Sequence, residues 1–223
     1  MLYATLHAVA TPPWGGLTPA LGAMTDHSDS EKIEPGYPIW PPYEAFYISS
    51  MLFNTQSAYA SIEVVASAID HLSNGDSDDP LADLDQHSVL NELQNIVVHG
   101  AAVSRYFWPV RKGHEQRANQ LRNAFNITEE SPLFSRNLRN DIEHLDEKLD
   151  RYLEKGITGH ILPEYFGPTG RSSGVPTHFF RAYFIDSGEF QLLDKRYKIQ
   201  PLADAISDLH EALERRDGRG GRI

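Results

Sequence analysis

Apolar residues recur at steps of three and four along most of the chain between Pro42 and Gly156. This spacing places them on one face of an α-helix, and prolines, glycines and polar turns divide the pattern into segments. We therefore predict four consecutive helices, at about 43–73, 86–108, 113–125 and 132–155. Asp85 is the expected N-cap of the second helix, and Ser131-Pro132 is the expected start of the fourth.

The pattern changes after Gly156. Residues 157–177 contain many glycines and prolines, which predicts a loop. Aromatic and β-branched residues then flank Asp186-Ser187-Gly188, which predicts a β-hairpin between 178 and 193. Pro201 opens a final helix at about 200–216. The predicted fold is mainly α, an antiparallel helical bundle with a small β-hairpin before the C-terminal helix.

The length of 223 residues, of which 40% are hydrophobic, fits one domain with one core. We place this domain at 43–216. It divides into a core bundle at 43–155, a loop and hairpin at 156–199, and the C-terminal helix at 200–216. Residues 1–42 are rich in proline and glycine and are predicted to form a flexible leader, in which Met24 is a candidate natural start. The Gly/Arg tail at 217–223 is predicted to be disordered.

Charge is distributed unevenly along the chain. The net charge of −11 argues against indiscriminate binding to a phosphate backbone. Residues 70–85 carry six aspartates without the residue order of a calcium loop, so we interpret them as an acidic turn. Residues 105–139 carry seven basic side chains against three acidic ones. The chain lacks cysteine and any apolar run of membrane-spanning length, so we expect a cytoplasmic protein without a membrane partner.

The helix predicted at 132–155 has two distinct faces. Its buried stripe is predicted to consist of Leu138, Ile142, Leu145, Leu149 and Leu153. The polar side carries Arg139, Asn140, Glu143, His144, Asp146 and Glu147. A guanidinium can bind phosphate oxygens, and an imidazole can take or give a proton near neutral pH. We therefore predict that Arg139, Asn140 and His144 are catalytic, while Glu143 supports the imidazole or Arg139.

An ordinary solvent-exposed face remains an alternative for these residues. Arg139 with Glu143, and Glu147 with Arg151, have the spacing of surface ion pairs, which stabilise a helix only slightly.

Basic residues near this helix form a second candidate site. The residues proposed to contact RNA are Arg105, Arg111, Lys112 and Arg136. Tyr106, Phe107 and Trp108 would stack on bases; alternatively, Phe107 and Trp108 belong to the core and the charges form a solvated face. His99 is expected to pack in the core. No pair of histidines has the spacing of a helical metal site, so neither a metal nor another cofactor is predicted.

The run from Leu138 to Tyr152 resembles the motif helix of HEPN (higher eukaryotes and prokaryotes nucleotide-binding) domains, in which Arg, often followed by Asn, precedes His on one helix. The resemblance covers about 43–155 as a helical pattern and includes Ser104 to Pro109. It implies a HEPN-like antiparallel bundle. It also implies a metal-independent endoribonuclease that acts as a toxin or in antiviral defence, as a homodimer in which two motifs line one cleft. Arg139, Asn140 and His144 match the motif.

One position departs from the family pattern. The toxin branch that is paired with a nucleotidyltransferase often has Tyr two residues after the His, whereas this chain has Asp146 there. We predict that Asp146, like Glu143, supports the catalytic residues. The resemblance therefore leaves open an antitoxin or nucleotidyltransferase partner. The alternative is a non-catalytic HEPN-like module that binds a nucleotide or a protein. A third alternative is a purely structural bundle.

Overall fold

The computed structural model describes residues 38–74, 84–170 and 174–223. A short 3-10 helix, Pro41–Tyr43, precedes α1 (Glu44–Asn74), α2 (Gln86–Phe107) and α3 (Glu115–Phe125). A second 3-10 helix, Pro132–Phe134, leads to α4 (Asn137–Glu143) and α5 (Leu145–Leu153). Strands β1 (His160–Gly167), β2 (Thr177–Phe184), β3 (Glu189–Leu192) and β4 (Lys195–Lys198) follow, and then α6 (Gln200–Asp217). The prediction of a mainly α fold is confirmed.

The core lies between α1, α2 and α6, because α1 packs along both of the other helices. Its fully buried residues include Ile48, Met51, Leu90, Leu93, Ile96, Ile206 and Leu213. Gly100 allows close approach of α2 and α6: a Cβ atom at this position would lie 2.9 Å from Cδ1 of Ile206. Asp85 caps α2 as predicted, since its side chain accepts a hydrogen bond from the backbone N–H of Ser88 at 3.2 Å. His99 is half-buried beside α1, with Nδ1 3.4 Å from Oδ1 of Asn54.

The prediction of one long helix from 132 to 155 is wrong. The segment divides into the 3-10 helix, α4 and α5, and His144 adopts a non-helical φ of −118° and ψ of 36° at the junction between α4 and α5. The predicted buried stripe is also only partly correct. Leu138, Ile142 and Leu145 are half-buried against the core, whereas Leu153 is exposed. Asp141 is the residue of α4 that is buried.

The predicted hairpin forms β2 and β3, but it belongs to a larger sheet of order β1-β2-β3-β4. The two other strands pair at its sides: β1 is parallel to β2, and β4 is antiparallel to β3. The prediction that 157–177 is only a loop is therefore wrong, because β1 lies within it. Pro163 is compatible with β1, since an edge strand leaves half of its N–H groups outside the ladder.

The two ends of the described chain meet at the start of α1. Arg222 Nε and the backbone N–H of Ile223 both lie 3.1 Å from Oε2 of buried Glu44. Residues after Asp217, which were expected to be disordered, thus have defined contacts with α1. Residues 1–37 of the predicted leader, including Met24, lie outside the described residues. Most of the predicted acidic turn also lies outside them.

None of the helices among the described residues combines the length and apolar character needed to cross a bilayer.

Candidate functional site

Arg139 lies on α4 with most of its side chain buried; 13% is exposed. Its Nη2 donates a hydrogen bond to Oδ1 of the neighbouring Asn140 at 3.3 Å. Its Nε lies 3.6 Å from Oε2 of Glu143, within ion-pair distance, yet this buried nitrogen makes no hydrogen bond with the described residues. The guanidinium is therefore positioned by its neighbours and keeps an unused donor.

Glu143 links the motif to α2. Its Oε1 accepts a hydrogen bond from Nη2 of Arg105 at 2.9 Å, while its Oε2 faces Arg139. One carboxylate therefore lies between two guanidinium groups, and Arg105, proposed from the sequence to contact RNA, is brought to the motif. Of the two supporting roles considered for Glu143, its contacts match support of Arg139.

His144 is exposed at the junction between α4 and α5, with 60% of its side chain accessible. Its Nδ1 lies 3.9 Å from Oε1 of Glu147, which is too long for a hydrogen bond. Asp146, the other supporting residue, is exposed on the first turn of α5. The imidazole is thus accessible to a ligand, and two carboxylates follow it in the first turn of α5.

A cavity of about 310 Å³ borders the motif. The second 3-10 helix and α4 form one wall, where Arg139 lies, and α2, β4 and the start of α6 form the others. Arg196 and Lys198 of β4 also line this cavity, and both make ion pairs with Glu189, at 3.4 and 3.5 Å. Three cationic residues therefore line this cavity, and two of them have their charges paired with Glu189.

The basic residues between positions 105 and 139 have two different roles. Three arginines donate to consecutive carbonyls at the C-terminal end of α2: Arg117 to Tyr106 at 3.1 Å, Arg122 to Phe107 at 2.5 Å and Arg136 to Trp108 at 3.0 Å. These groups satisfy carbonyls that a helix end leaves unpaired and complement its negative pole. Arg136 therefore has a structural contact, whereas Arg111 and Lys112 are exposed beyond α2.

The aromatic residues at the end of α2 also differ from one another, in how deeply they are buried. Phe107 and Trp108 are buried in the core. Tyr106 is half-buried, and its hydroxyl lies 2.5 Å from Oγ of Ser50. The alternative in which Phe107 and Trp108 belong to the core is confirmed.

Sequence reasoning missed Asp141. Its buried carboxylate binds Lys148 of α5, Lys195 of β4 at 3.0 Å and the hydroxyl of Tyr197. Burial by itself would raise the pKa of Asp141, but the hydrogen bonds from Lys148, Tyr197 and Lys195 together outweigh it and lower the pKa to about 2. Asp141 and Lys148 are seven residues apart on the apolar side of the segment, and this spacing was the available signal.

A smaller cavity of about 200 Å³ adjoins Asp141. Tyr152, which lines it, has its hydroxyl 2.6 Å from Nδ1 of His178, and Nε2 of His178 lies 3.1 Å from the carbonyl oxygen of Thr158. Because the carbonyl can only accept, Nε2 carries the proton in this arrangement and Tyr152 donates to Nδ1. These contacts join α5 to β2.

Among residues 38–74, 84–170 and 174–223, no group of three or more His, Cys, Asp or Glu side chains is placed to hold a metal ion.

Comparison with known proteins adds no family to this description. No protein-family model matches the chain, and neither a curated protein nor a solved structure is significantly similar to it.

Proposed function

We propose that this chain is a metal-independent endoribonuclease of HEPN type, with Arg139, Asn140 and His144 as its catalytic residues. The observation that carries the proposal is the exposed imidazole of His144 at the junction of α4 and α5, directly after the carboxylate that faces Arg139. An acid–base group accessible to substrate and a guanidinium held in place by its neighbours thus belong to one short segment.

In the proposed reaction, His144 accepts the proton of an RNA 2′-hydroxyl, whose oxygen attacks the adjacent phosphorus. The bond from phosphorus to the 5′-oxygen breaks, and that oxygen receives a proton from an imidazolium. The products are a 2′,3′-cyclic phosphate and a 5′-hydroxyl. Arg139 stabilises the negative charge on the phosphoryl oxygens, and Asn140, bonded to the guanidinium, orients it.

A homodimer would supply the second imidazole, one copy acting as base and the other as acid. Exposed Arg111 and Lys112 would guide the RNA backbone to the site through their charge. Arg105 and Arg136 have a smaller part in this proposal, because they already bind Glu143 and the Trp108 carbonyl.

The test is RNA cleavage by the purified chain in the presence of EDTA, with analysis of the product ends. General acid–base catalysis and charge stabilisation each contribute roughly 100-fold or more, so His144→Ala and Arg139→Ala should each reduce the rate by at least that factor. His160→Ala, at an exposed histidine that begins β1, is the matched control and should cleave like the wild type. An inactive wild type, or equal rates for His144→Ala and His160→Ala, would refute the proposal.

A non-catalytic HEPN-like module is the second candidate, and the pairing of charges favours it. Arg139 and Arg105 both contact Glu143, and Glu147 lies near His144, so the site is less cationic than its arginines alone suggest. This candidate predicts that the wild type cleaves no RNA, while Arg139→Ala weakens binding of a nucleotide or a protein partner in calorimetry.

A role as a toxin or in defence, with an antitoxin or nucleotidyltransferase partner, belongs to the first candidate. Expression of the wild type should then slow bacterial growth, and His144→Ala should relieve the defect. Equal growth of the two strains at equal protein levels would exclude toxicity through this site.

A further inference from the structure

We infer that the exposed face of α1 is a docking surface for a second copy of this chain, with the two α1 helices antiparallel. This inference concerns assembly and does not depend on RNA cleavage.

The exposed face of α1 has an unusual composition. Phe46 and Phe53 are 72% and 71% exposed, and Val64 is also exposed. The helix contains no Lys or Arg over its 31 residues, and its carboxylate Glu44 is buried against Arg222. Long charged side chains, which normally cover an exposed helix face, are therefore nearly absent here.

The residues of this face, all exposed except half-buried Ser57, follow a heptad pattern. The positions alternate at steps of four and three in the order Phe46, Ser50, Phe53, Ser57, Ala60, Val64 and Ser67. Such spacing forms a continuous seam that suits packing against another long helix at a small angle. From Phe46 to Ser67 the seam is about 32 Å long at 1.5 Å per residue.

The size pattern of the seam is complementary to itself in the antiparallel direction. If the twofold axis passes near Ser57, each Phe53 lies opposite Ser57 and Ala60 of the second copy. Each Phe46 then lies between Val64 and Ser67 of the second copy. Large side chains at one end thus meet small ones at the other, as close packing of two helices requires.

Charge also favours the antiparallel direction. Glu63 and Asp70 are the other carboxylates of α1, and both are exposed toward its C-terminal end. In a parallel pair each would face its own copy, which is repulsive. In an antiparallel pair Glu63 lies opposite the region of Ser50 in the second helix, and Asp70 lies opposite Glu44, whose charge is already paired with Arg222.

Light scattering of the full chain tests the assembly. The wild type should have twice the chain mass of 25.1 kDa at micromolar concentration. Ala60→Arg should give a monomer, because it places a long charged side chain in the seam. Ala66→Arg is the matched control on the same helix, exposed but about 120° away from Ala60, and should remain a dimer.

Cysteine cross-linking tests the direction, because the natural chain contains no cysteine. Under mild oxidation, Ser57→Cys should form a disulfide-linked dimer on a non-reducing gel, since this position lies near the axis. Ser67→Cys should not, because its two copies would be about 30 Å apart along the seam. A monomeric wild type, equal masses for the two arginine variants, or equal cross-linking at positions 57 and 67 would each overturn the inference.

Discussion

Lys195 of β4 places its Nζ 3.0 Å from Oδ2 of Asp141 on α4, and this ion pair joins the sheet to the helical segment that carries the motif. Lys148 and Tyr197 bind the same carboxylate, so three donors from α5 and β4 converge on one acceptor. Because the carboxylate is buried, its charge depends on all three donors.

Asp141 is expected to make the protein sensitive to acid. The carboxyl group has a folded-state pKa of about 2, below that of an unfolded chain, so its contribution to stability is present above about pH 4 and is lost as the pH falls toward 2. Asp141→Asn should lower the free energy of unfolding at neutral pH by about 1–3 kcal/mol. Urea unfolding at a series of pH values measures both effects.

The difference between the wild type and Asp141→Asn should narrow below pH 4. Asp146→Asn, at an exposed carboxylate five residues away, is the control and should match the wild type. A constant difference across the acidic range would show that the charge of Asp141 contributes nothing.

Tyr197 is expected to contribute to the pH dependence of stability in the alkaline range. Burial, the hydrogen bond to Asp141 and the negative charge of Asp141 raise the pKa of the phenol. A raised folded-state pKa stabilises the fold below the unfolded value of about 10, and this contribution is lost as the pH rises further. The wild type should therefore begin to lose stability as the pH rises above about 10, the pKa of a free phenol, and should continue to lose it at higher pH.

Tyr197→Phe tests this prediction, since it removes the titrating group and retains the ring. The variant should be less stable than the wild type at neutral pH by about 1 kcal/mol, and the two should converge as the pH rises above 10. Parallel curves in denaturant unfolding would contradict the assigned hydrogen bond.

Substitutions of the arginines around the end of α2 should differ in their effect on stability, according to whether the arginine binds a carbonyl or is exposed. Arg122→Ala removes a donor to the Phe107 carbonyl and should cost about 1–2 kcal/mol of unfolding free energy. Arg111→Ala, at an exposed arginine in the turn after α2, should leave stability unchanged and weaken RNA binding if the proposed function is correct. Thermal unfolding and filter binding of the two variants distinguish these outcomes, and equal destabilisation would contradict the assignment.

The helices with regular apolar spacing could be predicted from the sequence. The expected bounds of α1, α2 and α6 agree with the structure within about two residues, because their stripes pack against one another and their ends carry local signals such as Asp85. The predicted α3 also forms. In these segments, tertiary packing and the local spacing of apolar residues both favour a helix.

The break at His144 and the strand β1 could not be predicted in this way. The spacing from Leu138 to Leu153 is continuous, whereas the structure interrupts the helix at His144, three residues after Asp141, whose carboxylate binds Lys195 of β4. Strand β1 contains Pro163 and is flanked by glycines, and it is defined by its pairing with β2. Both features depend on contacts with distant residues, which local patterns do not record.

The contact of the C-terminal residues with α1 leads to a prediction at Gly221. This residue has a φ of 68°, and a Cβ atom on it would lie 2.9 Å from Cβ and 3.2 Å from Cα of Ala45. Gly220 has a φ of 90° but open space around it, so the same substitution there introduces backbone strain without a clash. Gly220→Ala should lower the free energy of unfolding by about 1 kcal/mol. Gly221→Ala should lower it further, because its Cβ atom would clash with the backbone of α1. Urea unfolding compares the stability of the two variants. Limited proteolysis should cut the C-terminal tail of Gly221→Ala faster than that of Gly220→Ala. Equal stability and equal cutting of the two variants would show that the tail does not bind α1 in solution.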